Sequence, residues 1–177
     1  AIHVSHQLDP TLEYVYLESM SLPIYLELDE SELWTGPYIK ASDAHIEKWK
    51  ARLPEKFLTV KWSGSPYYDQ DLHRSIDREL MITNLQKFEL PLISLQVDNK
   101  GVDGRLIDVD IDSWQDTLAI QHLALYNITS CTSTAHSAAA MDVKTVILPP
   151  IAHYYPWMNL RNGVHSHWYG NNSSVFV

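Results

Sequence analysis

Several features of membrane-spanning and secreted proteins are missing from this sequence. It contains a single cysteine, Cys131, which excludes an internal disulfide. No stretch approaches the run of about 20 apolar residues that a membrane-spanning helix needs. The opening stretch AIHVSHQLDP lacks the basic and apolar parts of a secretory leader. We therefore expect a cytoplasmic protein with no membrane span.

Basic residues are also scarce. Lysine and arginine number 13 against 22 aspartates and glutamates, which gives a formal net charge of -9 with neutral histidines. A surface that coats a polyanion needs clustered positive charge, so we expect no nucleic-acid partner. A local pocket for a small phosphate-bearing ligand is still compatible with this charge.

The common signatures of several enzyme classes are absent from the chain. No G-x-G-x-x-G, Walker A or G-x-S-x-G motif occurs, so dinucleotide oxidoreduction, P-loop hydrolysis and α/β-hydrolase chemistry lack support. The segment HSHW, His165 to Trp168, has two histidines but no carboxylate or cysteine spaced to complete a metal site. We predict no metal and no other cofactor.

The length and apolar content suit a single hydrophobic core, since the chain has 177 residues of which 45% are hydrophobic. The sequence changes in character near Ser42. Before it, short β-like runs are interrupted by Pro23, Gly36 and Pro37, which predicts an irregular or short-strand segment over residues 1–41. From residue 42 onward the pattern becomes regular, and we predict one domain over residues 42–177.

Short apolar runs alternate with helical patterns along this domain. Such alternation is typical of βαβ units, so the predicted fold is α/β, a Rossmann-like parallel sheet with helices on both faces. In one helix Trp114, Leu118 and Leu125 fall along a single apolar face. The predicted helices cover residues 42–53, 77–88, 113–126 and 133–141, and the predicted strands cover 57–62, 91–97, 105–109, 127–131, 143–149 and 173–177.

Ligands bind such sheets outside the carboxyl ends of the strands. The stretch NITSCTSTAHSAAAM places Thr132 and Ser133 where a strand ends and a helix begins. Free backbone N–H groups, the helix dipole and added hydroxyls suit a phosphate at this point. Plain N-capping, which any helix favours, is the simpler explanation of the same residues on local sequence alone. His136, one turn further, could face either a ligand or the sheet, and a structural role is the default for such a histidine.

A second loop follows the strand FLTVKW. Ser63 and Gly64 form a small-residue turn that permits close backbone approach to a ligand, and Arg74 with Ser75 precedes the next helix. An arginine guanidinium can donate two parallel hydrogen bonds to phosphate oxygens, although an ordinary turn with a surface arginine would show the same sequence pattern. Both loops are expected at one edge of the sheet.

The chain resembles the carboxyl half of a family 9-type glycosyltransferase. It is most similar to the glycosyltransferase-like domains that follow tetratricopeptide repeats in bacterial proteins, which are related to ADP-heptose:lipopolysaccharide heptosyltransferases. The resemblance extends roughly from Pro37 to Phe176 and is carried by VKWSGSP with HRSI, LISLQ, DSWQDTLAIQHLALYNITSCTSTAHSAAAM, and YYPWM with SHWYGNNSSVFV. In that family the third segment forms the donor nucleotide-sugar site.

The resemblance implies a domain that is one half of a GT-B fold and transfers a hexosyl or heptosyl group, without an obligatory metal, from a nucleotide-diphosphate sugar to an acceptor glycan or protein. By this similarity Ser63 and Gly64 lie near the donor phosphates, Arg74 neutralises them, and Thr132 and Ser133 bind them. His136 matches the family's histidine in the same helix. The resemblance places Gln96 and Asp116 around the nucleoside.

The chain also departs from the family it resembles. Many members have aspartate in place of Cys131 and glycines in place of Ala139 and Asp142. The family's enzymes have two Rossmann-like domains, and the amino-terminal one carries the acceptor side and the general base. Residues 1–41 are accordingly expected to be the end of a missing domain or a reduced replacement for it, and we assign no catalytic residue. Two other functions stay open, a non-catalytic binding or interaction module and a regulatory nucleotide site, as does completion by a dimer or a partner domain.

Overall fold

A computed structural model describes residues 11, 21–69, 71–97, 101, 103–151, 155–158 and 160–176. The chain divides into two compact units, Ala1–Leu33 and Trp34–Val177. In the first unit the described residues form a short helix, α1 (Leu22–Tyr25), and a 3-10 turn, Glu30–Glu32. We expected short strands or connectors here. Pro23 instead stands in the first turn of α1, where its fixed φ favours a helical start. Residues 1–10 and 12–20 of the predicted segment lie outside the described residues.

The second unit contains a six-stranded sheet in which every neighbouring pair of strands is parallel. The spatial order of the strands is β3-β2-β1-β4-β5-β6. The Rossmann-like α/β fold predicted from the sequence is thereby confirmed. The strands are β1 (Leu58–Lys61), β2 (Leu92–Ser94), β3 (Leu106–Asp108), β4 (Tyr126–Ser130), β5 (Thr145–Leu148) and β6 (Ser173–Val175).

Helices connect these strands and also precede the first of them. They are α2 (Asp43–Lys50), α3 (Asp71–Arg74), α4 (Arg78–Leu85), α5 (Trp114–Leu123) and α6 (Ser133–Ala140), with 3-10 turns at Gln86–Phe88 and Tyr155–Trp157. Among the described residues, no helix is both long enough and apolar enough to cross a membrane.

The end of α5 differs from the sequence-based prediction. The helix stops at Leu123, whereas the apolar run had suggested continuation to residue 126. Leu125 already donates its N–H to the carbonyl of Phe57, and Tyr126 pairs with Leu58. Sheet pairing therefore ends the helix. Leu118 is buried as predicted, but Trp114 is 56% exposed and does not belong to the apolar face assigned to it.

Helices cover both faces of the sheet. In β2, Leu92 packs with Met81 and Ile82 of α4, while the next residue, Ile93, packs in a different cluster with Trp49 of α2 and Ile120 of α5. Successive side chains of a strand point to opposite faces, so α4 lies on one face and α2 with α5 on the other.

The alanine cluster seats α6 close to the sheet. Ala135, Ala139 and Ala140 are almost completely buried and pack in one cluster with Ile147 of β5 and Val175 of β6. Small side chains permit this close approach. The start of α6 is consequently held just beyond the carboxyl end of β4.

Candidate functional site

The strand order creates a topological switch point between β1 and β4. From β1 the chain proceeds to β2 on one side, and from β4 it proceeds to β5 on the other. The loops after β1 and β4 therefore diverge and leave a crevice at the carboxyl edge, which is where parallel α/β sheets bind ligands. A cleft of about 350 Å³ lies there, lined by Lys61, Leu95, Val97, Ile111, Asp112, Ser113, Trp114, Thr117, Ser133 and Thr134.

Lys61 contributes positive charge to this cleft. It is the last residue of β1 and is only 9% exposed. Its Nζ lies 3.4 Å from the carbonyl oxygen of Leu95 and 3.4 Å from Oε1 of Gln96, and it donates to both. A cation that lines a cleft from a buried position is screened by water much less than a surface lysine. The site can thus attract an anion although the chain as a whole is acidic.

The start of α6 forms another part of the cleft. Thr132 occupies the N-cap position, but its side chain does not cap the helix. Its hydroxyl lies 2.6 Å from that of Thr134, which in turn lies 2.9 Å from the hydroxyl of Thr129. Within the described residues, no acceptor is found for the backbone N–H groups of Ser133 and Thr134, both of which line the cleft. These N–H groups are available to a ligand.

The capping explanation left open by the sequence does not describe this helix start. Ser42, Asp77 and Ser113 each accept a backbone N–H at the starts of α2, α4 and α5, as N-cap side chains normally do. The Thr132 hydroxyl instead forms hydrogen bonds with the hydroxyls of Thr129 and Thr134. Ser133, which is exposed, and Thr134 line the cleft, whereas the Thr132 side chain is buried.

The loop after β1 is organised by Asp71. Its carboxylate accepts hydrogen bonds from the backbone N–H of Gly64 at 3.2 Å, from Nε of Arg74 at 2.8 Å and from the hydroxyl of Ser75 at 3.1 Å. Burial by itself would raise the pKa of Asp71, but the bonds and charge from Arg74 and the bond from Ser75 hold this pKa below its ordinary value. Gly64, Arg74 and Ser75 are thus brought together.

Arg74 bridges the loops that follow β1 and β4. Its Nη1 donates to the carbonyl of Cys131 at 3.4 Å, and its guanidinium lies 4.4 Å from the ring centroid of Tyr68. A Cβ at position 64 would overlap the guanidinium, so a larger residue there would displace the Arg74 side chain. Arg74 stands at the predicted edge of the sheet, yet it is paired with Asp71 and does not line the cleft.

Ser63 and Gln96 support Lys61 through hydrogen bonds. Nε2 of Gln96 donates to the hydroxyl of Ser63 at 2.6 Å, and Oε1 of Gln96 accepts from Lys61. Gln96 is 3% exposed. These two residues connect the loop after β1 to the end of β2 and help to hold the Lys61 ammonium in place.

Asp116 does not reach the cleft. Its Oδ1 accepts from Nζ of Lys48 and Nε1 of Trp49, each at 2.7 Å. Its Oδ2 accepts from the N–H groups of Asp112 and Ser113 and from the Ser113 hydroxyl. Burial works to raise the pKa of Asp116, but these donors outweigh it and keep the pKa well below its usual range. The carboxylate anchors α5 to α2 and has no lone pair left for a ligand.

His136 faces an aromatic cluster and does not line the cleft. Its ring stacks on Trp157 with centroids 5.0 Å apart, and its Nδ1 lies 2.6 Å from the hydroxyl of Tyr169. Burial lowers the pKa of His136, which favours a neutral ring at pH 7. Of the two roles that the sequence left open, this geometry matches the structural one.

Cys131 also has a structural role. It is 5% exposed, and its Sγ accepts a hydrogen bond from Nε1 of Trp157 at 3.1 Å.

Sequence reasoning missed Lys61, Thr134 and Trp114. Lys61 had a usable signal, because a lysine inside an otherwise apolar strand with buried positions throughout is unusual. Thr134 and Trp114 had none, since the first depends on side-chain direction and the second reads as a core residue.

In the part of the chain that the structure describes, no group of three or more histidine, cysteine, aspartate or glutamate side chains is arranged to hold a metal ion. Comparison of the chain with protein-family models, with curated protein sequences and with solved structures found no match. The fold and the geometry of the cleft therefore carry the functional argument.

Proposed function

We propose that this chain is a glycosyltransferase-like domain whose cleft binds the nucleotide diphosphate of a sugar donor, for transfer of the sugar to an acceptor glycan or protein. The observation that carries the proposal is the position of the cleft at the switch point of a parallel sheet, where Lys61 and the uncapped start of α6 meet. The resemblance to family 9-type glycosyltransferases supports the same ligand.

The cleft has the right chemistry for a diphosphate. Hydrogen bonds that involve a charged group contribute about 1.5 to 3 kcal/mol each, and Lys61 and the N–H groups of Ser133 and Thr134 can supply several of them. An anion at the helix start gains a further 0.3 to 1 kcal/mol or so from the dipole. A volume of about 350 Å³ falls within the range of small-ligand sites.

In transfer, the same groups would stabilise the negative charge that develops on the leaving diphosphate. Arg74 would take part by exchanging Asp71 for a phosphate oxygen, which its fork geometry permits. We assign no general base in this chain and no cofactor beyond the donor substrate. The acceptor side would come from a partner domain or a second copy, and the compartment would be the cytoplasm, where donor and reduced thiol are both compatible.

Cys131 supports a second function, a non-catalytic module that retains the fold and binds a nucleotide or a protein. Its buried thiol, bonded to Trp157, replaces the carboxylate that similar enzymes present at the end of this strand. A domain that binds the donor nucleotide but lacks this contact would hold the ligand without directing its sugar.

Calorimetric titration with ADP, UDP and GDP tests the proposed ligand. We expect the wild-type chain to bind at least one of them, and Lys61→Met to weaken that binding at least tenfold. Lys56→Met is the matched control, because Lys56 is exposed and precedes β1 at the opposite edge of the sheet. No binding of any nucleoside diphosphate at millimolar concentration by the folded wild-type chain would refute the proposal.

Incubation with the corresponding nucleotide sugars then separates the two functions. Release of nucleoside diphosphate, or sugar transfer to an added acceptor, supports the enzyme. Nucleotide binding without either reaction, also in the presence of a partner domain, supports the non-catalytic module.

A further inference from the structure

An exposed tryptophan lines the cleft. Trp114 is the first residue of α5, and 56% of it is accessible to solvent. Within the described residues, no aromatic ring stacks on its indole, and the indole makes no hydrogen bond. A large aromatic side chain left open beside a cleft is a common feature of binding sites, because its flat face offers contact area at a low entropic cost.

Hydrogen bonds at the start of α5 fix the position of Trp114. Ser113 and Asp116 form a capping box at the start of α5. Asp116 is also bonded to Lys48 and Trp49 of α2, as described above. The backbone of Trp114 is therefore held by a buried network, so its ring projects from a rigid support.

The cleft has two chemically different halves. Leu95 and Val97 follow β2, and Ile111 and Trp114 follow β3 together with the polar Asp112, Ser113 and Thr117, whereas Lys61 ends β1 and Ser133 follows β4. The Asp112 carboxylate lies 3.9 Å from Nζ of Lys48. Because the strand order is β3-β2-β1-β4, the half with the large apolar side chains lies over β2 and β3 and the anion-attracting half lies over β1 and β4. A ligand that fills both halves has a flat apolar part and a negatively charged part.

We propose that Trp114 is the platform on which the aromatic base of the bound nucleotide stacks, with the phosphates over β1 and β4. This inference rests on the proposed function, since it places a nucleotide in the same cleft. It adds that the ligand is recognised through its base as well as its phosphates. Stacking on a tryptophan tolerates every base, so Trp114 sets the class of ligand and not the identity of the base.

Two variants of Trp114 and two ligands test this inference. Trp114→Ala removes the platform and Trp114→Phe keeps a smaller one, and each is titrated with the nucleoside diphosphate that the wild type binds best and with inorganic pyrophosphate. We expect Trp114→Ala to weaken nucleotide binding about 10- to 100-fold, the range for loss of one stacked base, and Trp114→Phe to recover most of it. Pyrophosphate affinity should change less than twofold in both variants.

The two hypotheses fail differently. Wild-type binding of pyrophosphate as tight as that of the nucleotide, or unchanged nucleotide affinity in Trp114→Ala, overturns the stacking role and leaves the anion site standing. Equal loss of both ligands in Trp114→Ala also overturns it, because the effect is then not on the base. Absence of binding for both ligands in the wild type ends both hypotheses. A circular dichroism spectrum matching that of the wild type shows that each variant is folded.

Discussion

Introducing a negative charge at the start of α6 separates ligand binding from helix stability. Ser133 is exposed, lines the cleft and is the first residue of the helix. An aspartate at this position interacts favourably with the helix dipole, by about 0.3 to 1 kcal/mol. The same carboxylate repels a phosphate bound at the helix start. The Ser133→Asp variant should therefore be as stable as the wild type or slightly more stable, and should bind nucleotide diphosphates less well.

The size of the effect follows from Coulomb's law. Two like charges about 5 Å apart at an effective dielectric constant of about 20 repel by about 3 kcal/mol. Solvent screening at an exposed side chain reduces this value, so we expect a loss of affinity between about tenfold and a hundredfold. The neutral variant Ser133→Asn has nearly the same shape and should bind within about threefold of the wild type.

The assay is isothermal titration at low and high salt, paired with urea unfolding of each variant. The difference between Asp and Asn at position 133 should shrink as salt rises, because an exposed charge is screened. Equal affinities of the two variants would refute an anion at the start of α6. Equal losses in both would show that shape, not charge, is responsible.

Four further outcomes are expected. Asp116→Asn should lower the free energy of unfolding by about 3 kcal/mol in urea, since it removes the charge that a buried carboxylate shares with Lys48. Any loss of nucleotide affinity should come through Trp114 and so be absent in a Trp114→Ala background; further weakening there by a fully folded variant would show that Asp116 contacts the ligand after all. Asp142→Gly should raise stability by about 1 kcal/mol, because residue 142 has a φ of 54° and a buried Oδ1 with no partner among the described residues; a loss of stability would contradict this. Burial lowers the pKa of His136, so as the pH falls this histidine is protonated in the unfolded chain before it is protonated in the folded one. Its contribution to stability is therefore complete above about pH 6.5 and is lost below it, by at most about 1.4 kcal/mol per pH unit. The His136→Gln variant should show a flatter slope of unfolding free energy against pH. Arg74→Ala should weaken nucleotide diphosphate binding by about 1.5 to 3 kcal/mol with partial recovery in Arg74→Lys, and unchanged titrations in both would remove Arg74 from the site.

The fold could be predicted because its determinants are local. Strands that are covered on both faces read as short apolar runs, and the helices between them carry their own capping residues, such as Ser42, Asp77 and Ser113. The end of α5 was less accessible. The apolar residues after Leu123 suit a helix and a strand equally, and pairing of Tyr126 with Leu58 across the sheet decides between them.

The candidate site could be predicted only in outline. Ser63, Gly64, Arg74 and Ser133 were predicted at the carboxyl edge of the sheet because residues that follow parallel strands gather there, but of these four only Ser133 lines the cleft. Which of them line the cleft depends on side-chain direction, and that is set by contacts distant in sequence. Arg74 is held by Asp71, for example.

The residues that were missed or misplaced differ in how far the sequence could have indicated them. Lys61 could have been found, because a lysine is unusual in a buried strand, whereas Trp114 has the spacing of a core residue. His136 has the spacing expected for a helix-start ligand, but Trp157 and Tyr169 hold its ring elsewhere.

A crystal structure of the chain grown with a saturating nucleoside diphosphate tests the central claim most directly. We expect density for the phosphates within hydrogen-bond distance of the Ser133 and Thr134 N–H groups and Nζ of Lys61, and for the base over β2 and β3. An empty cleft at the switch point, or a nucleotide bound at the aromatic cluster around His136, would contradict the claim.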